Sequence, residues 1–469
     1  MCGPAGSAVR AAVWAAALAA CLCGGCGRSF DADFGLTAAP AAPGDYERIA
    51  ERLDAHLRRD VLDKWYPRCV DREGGGFHQR LARDWTVGPE REGRFLVYQA
   101  RMTWVAAAAA IYDEQLAPTC RTYALHGLEY LGTTMWDADA GGPFFWVGPD
   151  GRISEARGTD KHAYGISFAI YACAAVYEAT GRRGAIDLAM RTFDWLDSRA
   201  HDDEHGGYHE ALTRRGRPRM TAPGDPSGAK DSPADGIGTP YGYKSMNTHI
   251  HLLEAFATLY RARPAPRVRQ RLEELLAIVR DRIAVEPGCL NYYFTPDWRA
   301  VPMHDSFGHD VETAFLLVEA ADVLGRHDDE KTWRVARSLV DHALDWGWDA
   351  EAGGFFEGGE AFRPVHDRSK TWWTQAEGLN ALLLMHERFG GETDRYWTAF
   401  VEQLRFIWSR QIDHARGGWY GEFDPTGRLR STRKASPWKA AYHNVRSLMN
   451  VIKRLRRLAG ARRPGRPGT

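Results

Sequence analysis

Four short stretches place histidine, asparagine and carboxylate side chains among residues otherwise suited to burial. Asn247-Thr248-His249-Ile250-His251-Leu252-Leu253-Glu254 sets His251 and Glu254 three apart, on one face of a helix. His309-Asp310-Val311-Glu312 repeats that spacing, Gln375-Ala376-Glu377 opens a third apolar run, and Tyr442-His443-Asn444 opens a fourth. An unpartnered buried polar group costs roughly 1–3 kcal/mol, so its recurrence on apolar faces argues for use. Histidine titrates near neutral pH and serves as base or acid toward a carbon-bound proton. A metal site is the weaker reading. His251, Glu254 and His309 are candidate ligands, but there is no H-E-x-x-H pattern, and Arg101 and Lys161 would repel a cation at the centre of the fold. Hydrolysis by two opposed carboxylates is another alternative, for which Asp305, Asp310, Glu312 and Glu377 are available.

Side chains so far apart in sequence meet only if each sits near the same end of one element in a repeated architecture. Such a repeat is present. Asp-x-x-x-Gly-Gly followed by an apolar or aromatic residue recurs at Asp71, Asp137, Asp202, Asp349 and Asp413, at a period of roughly 65 residues with one gap of about two periods. A degraded sixth copy is expected at Glu286-Pro287-Gly288-Cys289, and the excess length of the gap falls in the Gly/Pro/Asp/Ser-rich segment 214–242. Apolar residues at three- and four-residue spacing predict helices over 101–112, 164–179, 248–261, 310–324, 374–389 and 442–455. Two helices per period, six times over, predict an all-α fold, an (α/α)6 barrel of six helix hairpins. In it the Asp and paired Gly end one helix and start a tight turn.

The chain has 469 residues, 44% of them hydrophobic, with Lys+Arg and Asp+Glu both at 61. A formal net charge of zero gives no field toward nucleic acid, which is not expected as a partner. Seventeen Trp and seventeen His fit a small saccharide better, because indole covers the apolar face of a sugar ring. Arg10 and the apolar run Ala11 to Ala20 read as an export signal over 1–20, too short to span a bilayer. Leu18-Ala19-Ala20-Cys21 has the pattern of a bacterial lipobox, which predicts a lipid anchor at Cys21 and an exported protein, periplasmic, held at the cell envelope or secreted. A flexible linker over 21–45, a barrel over 46–455 and a basic disordered tail over 456–469 complete the expected organisation, with a monomer expected. Cys69, Cys120, Cys173 and Cys289 lie far apart without a C-x-x-C pair and are expected to be free.

K-S-M-N-T-H-I-H-L-L-E-A (244–255), D-S-F-G-H-D-V-E-T-A (305–314), K-T-W-W-T-Q-A-E (370–377) and P-W-K-A-A-Y-H-N-V-R (437–446) closely resemble the cellobiose 2-epimerase branch of the N-acylglucosamine 2-epimerase family. Q-A-R-M-T-W (99–104) and D-D-E-H-G-G-Y-H-E-A (202–211) extend the resemblance over essentially 46–455. It implies inversion at carbon 2 of a reducing-end aldose through a cis-enediolate, with no cofactor and no metal. His251 and His443 match the family's catalytic pair, and His209 a third histidine that helps ring opening or binds sugar. Arg101 would stabilise the enediolate oxygen and Glu254 would orient His251. Trp372, Trp373 and Trp438 would stack on sugar rings, Asp202 and His205 would line the cleft, and Asn247, His309, Glu312, Phe315 and Glu377 would complete the sugar contacts. Three departures, Phe144 for Tyr, Phe315 for Trp and His205 for Asn, bear on substrate contacts and leave the sugar open. Cellobiose or mannobiose is the expected substrate. A monosaccharide or N-acylglucosamine epimerase, an aldose–ketose isomerase, an (α/α)6 glycoside hydrolase and a non-catalytic glycan-binding lipoprotein are the alternatives.

Overall fold

The structure is a computed structural model that describes residues 30–36, 42–154, 158–220, 234–285, 288–301, 304–361 and 363–460. The export signal, Cys21, the middle of the 214–242 insertion and residues 461–469 lie outside the described residues. A short helix α1 (Phe30–Phe34) precedes α2 (Pro43–His56), whose last turns widen into a π-helical stretch, Leu57–Leu62. Five hairpins follow: α3 (Leu96–Tyr112) with α4 (Ala117–Gly132), α5 (Ala163–Thr180) with α6 (Arg183–Ala200), and α7 (Met246–Ala262) with α8 (Pro266–Ile278). Then come α9 (Phe307–Val323) with α10 (Glu330–Trp346), and α11 (Trp372–Phe389) with α12 (Arg395–Phe406), and last α13 (Tyr442–Gly460).

The layer each helix occupies follows from its sequence. The odd-numbered helices from α3 to α11 are apolar or small on nearly every side, and α3 is buried from Leu96 through Ala107. Such helices need cover all round and form the inner ring. The even-numbered helices bury one stripe, as α10 does with Thr332, Val335, Ala336, Leu339, Val340 and Ala343, and they form the outer layer. Each inner helix packs on the next, and α13 closes the ring against α3. The outer partner of α13 is α2, from the other end of the chain. This is the expected (α/α)6 barrel. Six positions around a ring put α7 diametrically across from α13.

Each repeat aspartate builds a turn and a lock. Oδ1 of Asp202 accepts from the backbone N–H groups of Glu204 and His205, while Gly206 and Gly207 turn back with φ of +77° and +74°. A Cβ on Gly207 would stand 2.6 Å from the Trp298 ring, so only glycine fits there. Oδ2 of Asp202 accepts from Lys244 Nζ at 2.7 Å. The same pairing joins Asp137 to Lys161 at 3.0 Å, Asp349 to Lys370 at 2.7 Å, Asp413 to Lys434 at 2.8 Å, and Asp71 to Arg94. Four of these cations lie two residues before an inner helix, in two-residue strands that pair antiparallel with a strand beyond the next hairpin, as Lys244–Ser245 pairs with Tyr293–Phe294. The lock therefore fixes where α3, α5, α7 and α11 begin.

The sixth repeat inverts this chemistry. Its turn lacks the aspartate, and Asp305 stands where the others have the cation. Asp305 is buried with neither carboxylate oxygen hydrogen-bonded, 3.5 Å from His342 Nδ1 and close to buried Asp310. Burial and the Asp310 charge push the Asp305 carboxyl up to about 8.

Two expected boundaries are corrected. The 21–45 linker is not free throughout, because Phe30 and Phe34 are buried and Phe34 packs edge-on against Trp408 at 4.8 Å. The tail does not begin at 456, because α13 continues to Gly460. Among the described residues Cys69, Cys120, Cys173 and Cys289 are free and buried.

Candidate active site

The beginnings of the inner helices converge on a cavity of about 170 Å³. Arg101 of α3, Asn247 and His251 of α7, His309 and Glu312 of α9, Trp372 and Trp373 of α11, and His443 of α13 line it, with Trp438 from the loop before α13. These nine are all sequence-predicted. Tyr164 at the start of α5 is a tenth, which sequence reasoning missed. Trp438 is 42% exposed and is shared with an adjoining cleft of about 560 Å³, whose walls include Phe145, Trp146, His162, Asp235 and Tyr241.

His251 and His443 enter from opposite sides of the ring. His251 Nδ1 lies 3.0 Å from Glu254 Oε2, one turn along α7, and His443 Nδ1 lies 2.7 Å from Glu377 Oε1 of α11. An ionised carboxylate only accepts, so Nδ1 carries the proton in each ring and Nε2 is left for substrate. Burial pushes His443 far below the ordinary histidine value, and pushes His309 down to about 4. Both are therefore neutral at pH 7 in the unliganded site.

Glu254 and Glu377 are not independent. Arg446, one turn beyond Tyr442 on α13, donates through Nη2 to Glu377 Oε1 at 2.7 Å and to Glu312 Oε1, and through Nη1 to Glu254 Oε1 and Tyr442 Oη. Tyr442 donates in turn to Glu254. Burial raises the Glu254 carboxyl, but Arg446, His251 and Tyr442 outweigh it and hold it below the ordinary carboxylate value. For Glu377 burial wins over Arg446, and its carboxyl stands above that value.

Among the residues that line the cavity, three polar atoms are buried without a hydrogen-bond partner: Arg101 Nε, Asn247 Oδ1 and Trp372 Nε1. Two donors and an acceptor suit a ligand rich in hydroxyls, which both gives and takes. Arg101 is held by its other side, with Nη2 donating to Tyr164 Oη at 3.2 Å and the guanidinium 4.4 Å over the Phe168 ring. Trp373 lies flanked by His309 and His443, at ring-centroid distances of 4.8 and 5.7 Å.

The structure separates other expected residues from this cavity. Asp202 is committed to its turn and to Lys244, and His205 sits on that turn with Nδ1 3.4 Å from Asp202. His209 follows the same hairpin and is not among the residues that line the cavity; burial lowers it below the ordinary histidine value. Lys161, expected near the barrel centre, is locked to Asp137. Phe315 lies one turn deeper than Glu312 on α9, so it lines a separate cavity of about 390 Å³ behind Arg446. Phe144 faces Lys161 and Arg214 in the Asp137 lock. None of the three departures from the family pattern is among the residues that line the cavity between the helix beginnings.

Three groups of carboxylates and histidines among the described residues bring their ligand atoms within 4.8 Å of one another: His162, Glu210 and Asp235; Asp305, Asp310 and His342; and Glu312, Glu377 and His443. In the last, the group in the cavity, both carboxylates are already engaged by Arg446.

Two further residues missed from the sequence share one signal. Tyr442 and Arg446 flank His443 four apart inside the stretch 437–446, and that spacing places both on one face of α13.

Over 408 residues the chain is 28% identical to the cellobiose 2-epimerase of Bacteroides fragilis, covering 87% of this chain and 99% of that protein. It is 24% identical to the D-mannose isomerase of Marinomonas mediterranea over 420 residues, covering 86% and 97%. The solved structure of cellobiose 2-epimerase from Spirochaeta thermophila superposes with a TM-score of 0.75 at 32% identity, covering 88% of this chain and 98% of that one. The pattern of the N-acylglucosamine 2-epimerase (GlcNAc 2-epimerase) family matches residues 75–447. With its paired histidines in the cavity of an (α/α)6 barrel, this chain belongs to the N-acylglucosamine 2-epimerase family.

Proposed function

We propose that the chain is a disaccharide 2-epimerase that inverts carbon 2 of the reducing-end sugar. The observation that carries this is the opposition of His251 and His443, each with Nδ1 on a buried glutamate and Nε2 free. One Nε2 takes the proton from carbon 2 of the open-chain aldose, and the electron pair passes to the carbonyl oxygen to give a cis-enediolate. The other ring, which must enter the step protonated on both nitrogens, then returns its Nε2 proton to the opposite face and is left neutral. Arg101, with its unpartnered Nε, is placed to stabilise the developing oxyanion.

Size and charge support the disaccharide. The catalytic cavity, at about 170 Å³, is smaller than usual small-molecule pockets and suits one ring. The cleft beyond Trp438, at about 560 Å³, has room for the second. Its charges are internally matched: Arg80 with Glu92 at 2.9 Å, His162 with Asp235 at 2.7 Å, and Asp160 with Arg219 at 2.8 Å. That favours a neutral sugar. A β-1,4-linked pair such as cellobiose or mannobiose is the substrate proposed, and the cellobiose 2-epimerase relatives support it.

Aldose–ketose isomerisation is the second reading, because the same enediolate is open to protonation at carbon 1, and the D-mannose isomerase relative favours it. The enzyme is proposed to act as a monomer outside the cytoplasm, tethered at Cys21, a reading supported by Arg10, the run Ala11 to Ala20 and the sequence Leu18 to Cys21.

Proton NMR in deuterated water with cellobiose, mannobiose, glucose and N-acetylglucosamine, repeated with His443→Ala, tests the reading. Deuterium at carbon 2 with a new epimer, lost in the variant, supports it. A ketose as main product favours isomerisation, and free monosaccharide without exchange overturns the epimerase in favour of a hydrolase.

A further inference from the structure

Five of the six repeat turns pair their aspartate with a buried lysine or arginine. The fourth hairpin breaks that rule. Two residues before α9, where a cation would complete the lock, the chain places Asp305. The start of the helix that carries His309 and Glu312 therefore lacks the device that fixes α3, α5, α7 and α11.

Around that acid three elements bring metal-ligating groups together. Asp305 stands on the two-residue strand Asp305–Ser306, which pairs antiparallel with Gly358–Gly359. Asp310 is in the first turn of α9, and His342 comes from α10 in the outer layer. The three are 2%, 0% and 4% exposed. His342 Nδ1 lies 3.0 Å from Asp310 Oδ2 and 3.5 Å from Asp305 Oδ2, and one ligand atom of each residue lies within 4.8 Å of the other two. Both oxygens of Asp305 and Oδ1 of Asp310 are buried without a hydrogen bond. Among the described residues, the ion pairs of these two carboxylates run to His342 alone. One imidazole nitrogen carries one proton, which cannot serve four buried oxygens. The other two carboxylate and histidine groups differ, because Ser245 engages Glu210, and Arg446 engages Glu312 and Glu377.

We propose that Asp305, Asp310 and His342 bind one divalent transition-metal ion such as zinc, which takes the part of the missing lysine and fixes the start of α9. None of the three lines the catalytic cavity, so the role is structural and stands apart from the epimerase reading. Zinc bonds carboxylate oxygen and imidazole nitrogen at about 2.0–2.2 Å, which sets tetrahedral neighbours about 3.4 Å apart. The spacings of 3.0 and 3.5 Å straddle that value. Three protein donors leave a fourth place for water. Magnesium and calcium fit less well, since they call for about six or more oxygens and have little use for imidazole. On binding, the ion displaces the protons that His342 Nδ1 and the carboxyls hold, and solvent takes them up.

The full chain, stripped with EDTA and moved into metal-free buffer, is titrated with zinc chloride. Wild type is expected to keep about one equivalent of zinc through gel filtration, read by elemental mass spectrometry, and to gain several degrees in Tm over the chelated form. Asp305→Asn and His342→Gln each remove one ligand. Each is expected to weaken zinc binding by about 100-fold or more and to lose the gain in Tm. Asp235→Asn, in a different group, is expected to keep the equivalent. A wild type that holds no zinc and melts at the same temperature with and without it overturns the proposal, as does an equivalent kept undiminished in both ligand variants. If circular dichroism shows that neither variant folds, anomalous scattering at the zinc edge from crystals of wild type carrying one equivalent decides alone. A peak between Asp305, Asp310 and His342 supports the site, and a peak only elsewhere, or none, defeats it.

Discussion

His251 faces the cavity with Glu254 one turn behind it on α7, and Nδ1 of the ring lies 3.0 Å from a carboxylate oxygen. The glutamate fixes which nitrogen carries the proton and steadies the charge that forms when Nε2 takes a second one. Glu254→Gln keeps the shape and removes the charge. It is expected to lower kcat by about 100-fold or more with KM changed far less, measured by the rate of deuterium entry at carbon 2. A kcat within a factor of about three of wild type would show that His251 needs no carboxylate behind it.

The Asp202–Lys244 lock is expected to stabilise the fold and, through it, the site, because Lys244 lies two residues before the helix that carries His251. Burial alone would raise the Asp202 carboxyl, but Lys244 and the turn amides outweigh it and hold it down at about 2. A depressed carboxyl gives stability that is present above its unfolded value, near 4, and is lost as pH falls toward 2. Lys244→Met is therefore expected to cost about 3 kcal/mol at pH 7, by urea titration, with the difference from wild type narrowing below pH 4. A constant difference across that range would mean that the lysine stem, not its charge, is what matters.

Asp305 has the opposite sign. Its folded value of about 8 lies above the unfolded one, so its contribution is present at acid pH and is lost as pH rises through 8. Asp305→Asn is expected to match wild type near pH 4 and to exceed it by about 2 kcal/mol or more at pH 8.5. Thermal melts of the metal-free protein at the two values check this, and a variant less stable at the higher pH would refute it.

The barrel is legible in the chain because Asp-x-x-x-Gly-Gly recurs in five of the six places where an outer helix must turn back, and because an inner helix has no polar side to spare. The histidines proposed as the pair are legible for the same reason: His251 and His443 stand out on faces that are otherwise apolar. Asp202 and His205 mislead because a short polar motif looks alike whether it binds sugar or closes a turn, and the difference lies in Lys244, 42 residues beyond Asp202. Phe315 misleads through depth. It shares a face with Glu312, but one helical turn carries it past Arg446 into another cavity. Arg446 itself is hidden because three of its partners come from three other helices, and sequence spacing carries no information about a meeting on the barrel axis.

The seam of the barrel joins the chain's two ends. Trp419 Nε1 donates to His56 Nε2 at 2.9 Å across 363 residues, and α13 packs on α2. A ribosome finishes α13 last, and with it both His443 and the arginine that gathers the carboxylates. Until then the emerging chain holds one histidine of the proposed pair and a ring with a side missing, so it has no early, half-working form. The ring cannot close before α13 is made, and a cut just ahead of Tyr442 would leave five of the six inner helices and only one histidine of the proposed pair.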